Sequence, residues 1–251
     1  MRIDVMFKKF IVFSFLFQLL NISAQSPVNR FDSNGLRTGV WMKKYSNGNI
    51  RYQGQFENGK EVGVFKFYSE FYSNHPLIIK TYLEGSSICD VQFFTKTGVK
   101  ESEGRMQDKN RIGVWKYYDT SGKNILLEET YKNGELSGVR KVFYPDGSLT
   151  QVSHYKKNLL DGESLRYTDK GKLISRVPYK EGQIHGKVFY YHNDGVIRET
   201  GFYDMGKRVG RWEFYIDGEL AGVEEPNKKK EKPVITLEEL ESRKEKKSTK
   251  K

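Results

Sequence analysis

The sequence predicts an all-β protein: an elongated array of about eight stacked antiparallel β-hairpin repeats in a single-layer sheet. Three observations predict it. Segments opening on glycine recur about every twenty-four residues, a second glycine falls nine residues into most of them, and the residues that follow alternate with period two.

The first element is an expected signal peptide with a signal helix, residues 1–25. "MFKKFIVFSFLFQLLNISAQ" has a basic start at Lys8 and Lys9, an apolar run from Phe10 to Leu20, and small residues at Ser23 and Ala24. The run is short for a bilayer span. No cysteine follows it to carry a lipid, and Met6 is a second candidate start. Export by a Sec-type route is therefore expected, to the periplasm, outer surface or extracellular space. Residues 26–38 form an exposed lead-in.

The array is expected over 39–222. Its units open at Gly39, Gly63, Cys89 (in the place of glycine), Gly113, Gly138, Gly162, Gly186 and Gly210. The turn glycines are Gly48, Gly98, Gly122, Gly147, Gly171 and Gly195, with Gly218 one residue early. Asn47, Asp146, Asp194 and Asp217 stand before four of them, making pairs that tolerate positive φ and signal hairpins. Aromatics precede the turn: Trp41, Phe65, Trp115 and Trp212 two residues into their units, then Tyr117-Tyr118, Tyr190-Tyr191 and Phe214-Tyr215. After the turn, Leu173, Ser175, Val177 and Tyr179 share one parity, as do Ile197, Glu199, Gly201 and Tyr203, the pattern of a strand. A second turn closes each unit, as at Asn58-Gly59, Asn133-Gly134, Glu181-Gly182 and Met205-Gly206. The second unit is two residues longer than most and lacks its turn glycine, which predicts a wider turn or bulge there.

One hairpin cannot bury its apolar face alone. Stacked hairpins can, each touching only its neighbours. The regularly placed aromatics are then core, a continuous stripe along one face. The opposite face should present changing polar residues such as Arg51 and Gln53, Gln151 and Ser153, Lys172 and Arg176, and Arg198 and Thr200.

The last element, 223–251, is dense in charge and has no aromatics, a composition expected to stay mostly disordered. Thr236 and Glu239 could cap a short helix within it. The formal charge of the chain is +11, spread along its length. That favours anionic partners in general, and the basic tail offers weak contact with an anionic surface. No nucleic-acid-binding motif is evident, so nucleic acid is not an expected partner.

The lone Cys89 can form no intramolecular disulfide, and its register predicts a small buried residue. His75, His154, His185 and His192 lie at unrelated places in their units, and none has metal-ligand spacing. No P-loop or Gly-x-Ser-x-Gly is present. The expectation is a non-enzymatic chain with no catalytic residues, metal or cofactor.

"YQGQFENGKEVGVF" (52–65) and "ETGFYDMGKRVGRW" (199–212) resemble the MORN motif, and the twenty-four-residue spacing is similar to the bacterial MORN-repeat variant. The resemblance covers about 39–220. It implies single-layer hairpin arrays used for protein or membrane-surface contact, and some variant members are antitoxin-like. The leading expectation is an exported scaffold binding a protein or cell-envelope partner. An antitoxin-like or immunity role, and attachment to an anionic membrane or glycan surface, stay open beside it.

Overall fold

The computed structural model describes residues 28–72 and 74–226. The expected signal segment, and the tail from 227 onward, lie outside the described residues. These form one open antiparallel sheet of eighteen strands, without a helix among the described residues. In chain order the strands are β1 (Arg30–Phe31), β2 (Arg37–Lys44), β3 (Ile50–Glu57), β4 (Lys60–Phe67), β5 (Ile78–Tyr82), β6 (Ile88–Phe94), β7 (Lys100–Gln107), β8 (Asn110–Tyr118), β9 (Ile125–Lys132), β10 (Glu135–Phe143), β11 (Leu149–Lys156), β12 (Leu159–Tyr167), β13 (Leu173–Lys180), β14 (Gln183–Ile184), β15 (Gly186–Tyr191), β16 (Ile197–Asp204), β17 (Lys207–Ile216) and β18 (Glu219–Glu224). Each pairs with its chain neighbours, β14 and β15 both lying along β13, so β1 and β18 are the edges. The last strand runs further than the expected end of the array, because Val223 pairs with Glu213 and Glu224 with Trp212.

Two kinds of turn alternate. At most of the second turns both central residues take positive φ, as at Asn58 and Gly59 (49° and 77°) and Glu181 and Gly182 (50° and 82°). This is the two-residue type I′ geometry that matches strand twist. The first turn is a three-residue loop in most units and one residue longer between Asp119 and Asn124. Gly48 N–H donates to the Tyr45 carbonyl at 3.1 Å, Tyr45 N–H to the Asn49 carbonyl at 2.8 Å, and Gly48 has φ 86°. Here Asn47, Asp146 and Asp194 differ from the expectation that they share the positive φ. Each instead accepts a hydrogen bond, from the N–H two residues on, at 2.8–3.0 Å. Asp217-Gly218 is of the two-residue kind, with φ 51° and 82°. In the long second unit, 68–77 replaces the compact first turn, and Leu77 N–H donates to the Phe67 carbonyl.

The period is held by backbone bonds between units. Gly59 N–H donates to the Arg37 carbonyl, Gly134 to Arg111, Asn158 to Leu136, Gly182 to Leu160 and Gly206 to Ile184, all at 2.8–2.9 Å. These bonds need no particular side chain, so the units can vary in sequence while keeping them.

One row of paired side chains forms the core. It runs Trp41, Gly54 and Phe65, Lys80 and Val91, Gly104 and Trp115, Glu129 and Arg140, Ser153 and Ser164, Val177 and Val188, Gly201 and Trp212. Phe65, Trp115 and Trp212 are fully buried. The aromatic stripe is not continuous. Between the Trp115 and Trp212 clusters the row is polar: an Arg140–Glu129 ion pair at 3.2 Å, then Ser153 and Ser164 bonded at 2.8 Å with Gln151 donating to both. This corrects the placing of Gln151 and Ser153 on the polar face, since both belong to the core row's side. Thr200, on the far face, is buried, its hydroxyl donating to the Val188 carbonyl at 2.8 Å.

Candidate interaction face

The opening glycines set how each unit meets the next. Opposite Gly54 stand three residues, Gly63 to Phe65, because Gln55 pairs with Val62 and Gln53 with Lys66. Such a bulge re-aims the strand. In the units with an aromatic core residue the opening glycine has φ 63–72°, at Gly39, Gly63, Gly113 and Gly210. In units opening at Gly138, Gly162 and Gly186, where Arg, Ser or Val takes that place, φ is 114–128°. The tighter bulge lays the aromatic ring on the glycine of the preceding strand. A Cβ at Gly54 would lie 2.4 Å from the Phe65 ring, at Gly104 2.4 Å from Trp115, and at Gly201 2.2 Å from Trp212.

The other side of each indole is closed by an arginine four residues earlier. Arg37 lies 4.9 Å from the centre of Trp41, Arg111 4.3 Å from Trp115 and Arg208 4.0 Å from Trp212. Cation–π attraction of this kind strengthens as the ring is desolvated. Arg111 also donates to the Tyr117 hydroxyl at 2.6 Å, and burial pushes that phenol well up. Trp115 Nε1–H donates to the Arg105 carbonyl at 3.1 Å, and Trp41 Nε1–H to the Arg30 and Thr38 carbonyls. Tyr203 meets Trp212 edge-on at 5.2 Å, and Tyr179 packs half-buried in the same cluster. The aromatics and turn glycines singled out in the sequence therefore build the sheet and do not converge on a reaction centre. Of the turn glycines, Gly48, Gly98, Gly122, Gly147, Gly171, Gly195 and Gly218 all take positive φ, between 72° and 90°.

The face opposite the core row carries the varied chemistry. Its central row runs Met42, Gln53, Lys66, Ile79, Gln92, Glu103, Lys116, Glu128, Lys141, Val152, Leu165, Arg176, Phe189, Thr200, Glu213 and Val223, each in register with the next. From Gln92 to Lys141 it is polar and charged. Burial works against the charge of Glu103, but hydrogen bonds from Tyr118, Lys100 and Gln92 hold its carboxyl below the usual range. Glu128 and Lys141 are 3.7 Å apart, and beside the row Arg105 bonds Asp90 at 2.9 Å. A groove of about 530 Å³ opens here, between Asp90, Glu103, Arg105, Val114 and Lys116. From Val152 to Phe189 the row turns largely apolar, interrupted by Arg176, which donates to Glu163 at 2.7 Å.

The histidines stay apart. His154 Nδ1 is 2.9 Å from the Glu163 carbonyl, His185 Nδ1 is 3.3 Å from the Asp204 carboxylate, and the His75 ring lies against Gly98. Cys89 is buried, and burial pushes its thiol up. Among the described residues no group of three or more His, Cys, Asp or Glu side chains could hold a metal ion.

Sequence reasoning missed Gly104 and the reason Gly54 and Gly201 are glycine. It also missed the three arginine caps, although Arg-x-Gly-x-Trp recurs at 37–41, 111–115 and 208–212. Segments 37–58, 136–157, 160–181 and 184–205 match the MORN repeat variant. Each begins two residues before an opening glycine. Units lengthened by one or two residues, opening at Gly113 and Gly63, are not among them. No curated protein matches the chain.

Proposed function

We propose that this chain, which carries MORN variant repeats at four positions, is an exported, non-enzymatic scaffold that binds a protein or cell-envelope partner across several units. The observation that carries the proposal is the registered row on the face opposite the core. It spans the sheet without interruption and changes from charged, over Gln92 to Lys141, to largely apolar, over Val152 to Phe189. The repeat family supplies the same general role, a repeat scaffold for protein or membrane contact. Export rests on the basic, apolar and small-residue sequence from Lys8 to Ala24.

A surface of this kind spreads its binding energy. Single alanine changes at Lys116 or Leu165 should each weaken partner capture slightly, while removal of a whole inner unit should weaken it strongly. Capture from envelope fractions on immobilised protein measures this. If a unit deletion leaves capture intact while one substitution abolishes it, the function lies in a compact site and the scaffold proposal fails.

A further inference from the structure

The two edges of the sheet are treated differently. At the N-terminal edge, β1 covers the start of β2, and Asn29 continues the cover. Its N–H donates to the Val40 carbonyl at 2.9 Å, and its side-chain oxygen accepts from the Met42 N–H at 2.8 Å. Capping of this sort blunts an edge that would otherwise recruit another strand.

At the other edge, β18 pairs with β17 on one side only, and no such cover lies along it among the described residues. Its surroundings are apolar and open: Ile216 is 66% exposed, Leu220 52% and Val223 46%. Acidic residues stand at both ends of the strand, Glu219 and Glu224, the latter also 3.8 Å from Arg208.

We propose that β18 is a strand-addition site for an extended partner segment whose apolar centre is flanked by basic residues. Edge backbone groups supply affinity in this mode, and the alternating side chains supply selectivity. Charge decides between this occupant and a second copy of the chain. Antiparallel pairing of two β18 strands about the Ala221–Gly222 bond would set Glu219 of each copy opposite Glu224 of the other. Like charges directly opposite destabilise a strand pair, whereas opposite charges stabilise it. The site uses the free edge of the sheet and not its broad face, whose central row ends at Val223.

The test uses the full chain and two labelled peptides, Lys-Val-Thr-Thr-Ile-Lys and Glu-Val-Thr-Thr-Ile-Glu, followed by fluorescence polarisation at low and high salt. The basic peptide should bind roughly tenfold more tightly than the acidic one, from two cross-strand charge pairs, with the gap narrowing as salt rises. The doubly substituted chain Glu219→Lys, Glu224→Lys should reverse the preference. Circular dichroism of that variant shows whether its sheet is intact. A chain with the single change Ala221→Lys, which leaves both carboxylates in place, should keep the basic preference. Equal binding of both peptides, or binding of neither, would overturn the proposal. So would sedimentation showing a dimer that the peptide does not compete, or peptide binding only after residues 227–251 are removed, since those results assign the edge to a second copy or to the chain's own tail.

Discussion

Gly104→Ala is the sharpest perturbation of the core row. The added Cβ would lie 2.4 Å from the Trp115 ring, against an ordinary carbon–carbon contact of about 3.5–4.0 Å. The ring must therefore move by about an ångström. It has little freedom to do so, being fully buried, held at Nε1 by the Arg105 carbonyl and covered by Arg111. Overpacking of this kind costs about 1–3 kcal/mol. Alanine also narrows the unfolded ensemble, a gain of about 0.4–1 kcal/mol at a position without positive φ. Gly104 has none, so the net expectation is a loss of about 1–2 kcal/mol. The assay is urea unfolding followed by far-ultraviolet circular dichroism, which reads the sheet in both the Trp115 and the Trp115→Val backgrounds. The same change in a Trp115→Val background should cost nothing, because Val177 and Val188 already share the equivalent place. A Gly104→Ala chain as stable as its parent, or an equal loss in the Trp115→Val background, would refute the ring-on-glycine account.

Gly195 has φ 90° with only the Lys172 side chain near its missing Cβ, so Gly195→Val should destabilise by roughly 1–3 kcal/mol through backbone strain alone, while exposed His192→Ala in the same turn should cost little; equal losses on thermal unfolding would refute the turn assignment. Arg208→Ala should uncover Trp212, shifting its emission to the red, and remove about 0.5–2 kcal/mol of cation–π stabilisation; unchanged emission would show that the guanidinium does not shield the ring. Glu103 has a carboxyl pKa lowered on folding, so its stabilising contribution is complete above the ordinary glutamate value near 4.5 and is lost as pH falls through the lower native value. Glu103→Gln should therefore flatten the acid limb of the stability profile, and an unaltered limb would count against the Tyr118–Lys100–Gln92 network.

The repeat, its glycines and the strand alternation were legible in the sequence because backbone geometry repeats with the period. Positive φ and turn bonds demand glycine, or Asn and Asp, at fixed places, as at Gly147 and Asp146. What was not legible depends on which residue faces which across a bulge. Ser153 reads as a surface residue until Ser164 is placed opposite it, 2.8 Å away. The reason for Gly104 appears only when Trp115 is laid on it. The role of Arg111 appears only when its guanidinium is placed over that ring. The varied face was harder still, since period two assigns parity within a strand while the bulges decide which side chains share a row, as where Gly63 to Phe65 stand opposite Gly54, and Thr200 on that face is buried with its hydroxyl on the Val188 carbonyl.

The central claim is that the units are spacers in one open sheet, each held only by its neighbours. Spin labels at the exposed turn residues Asn47 and Asn193, with the distance read by pulsed electron resonance, test it most directly. Deleting 162–185 removes two strands between the labels and sets Val188 opposite Ser153, two small residues. The separation should fall by roughly 10 Å, two strand spacings, with its distribution as narrow as before. Deleting 186–209 instead would bring Trp212 opposite Val177, whose side chain occupies the space the ring needs, so with the second label moved to Asp217 that distribution should broaden. An unchanged distance after the first deletion, or a broad distribution after the first and a narrow one after the second, would contradict the account.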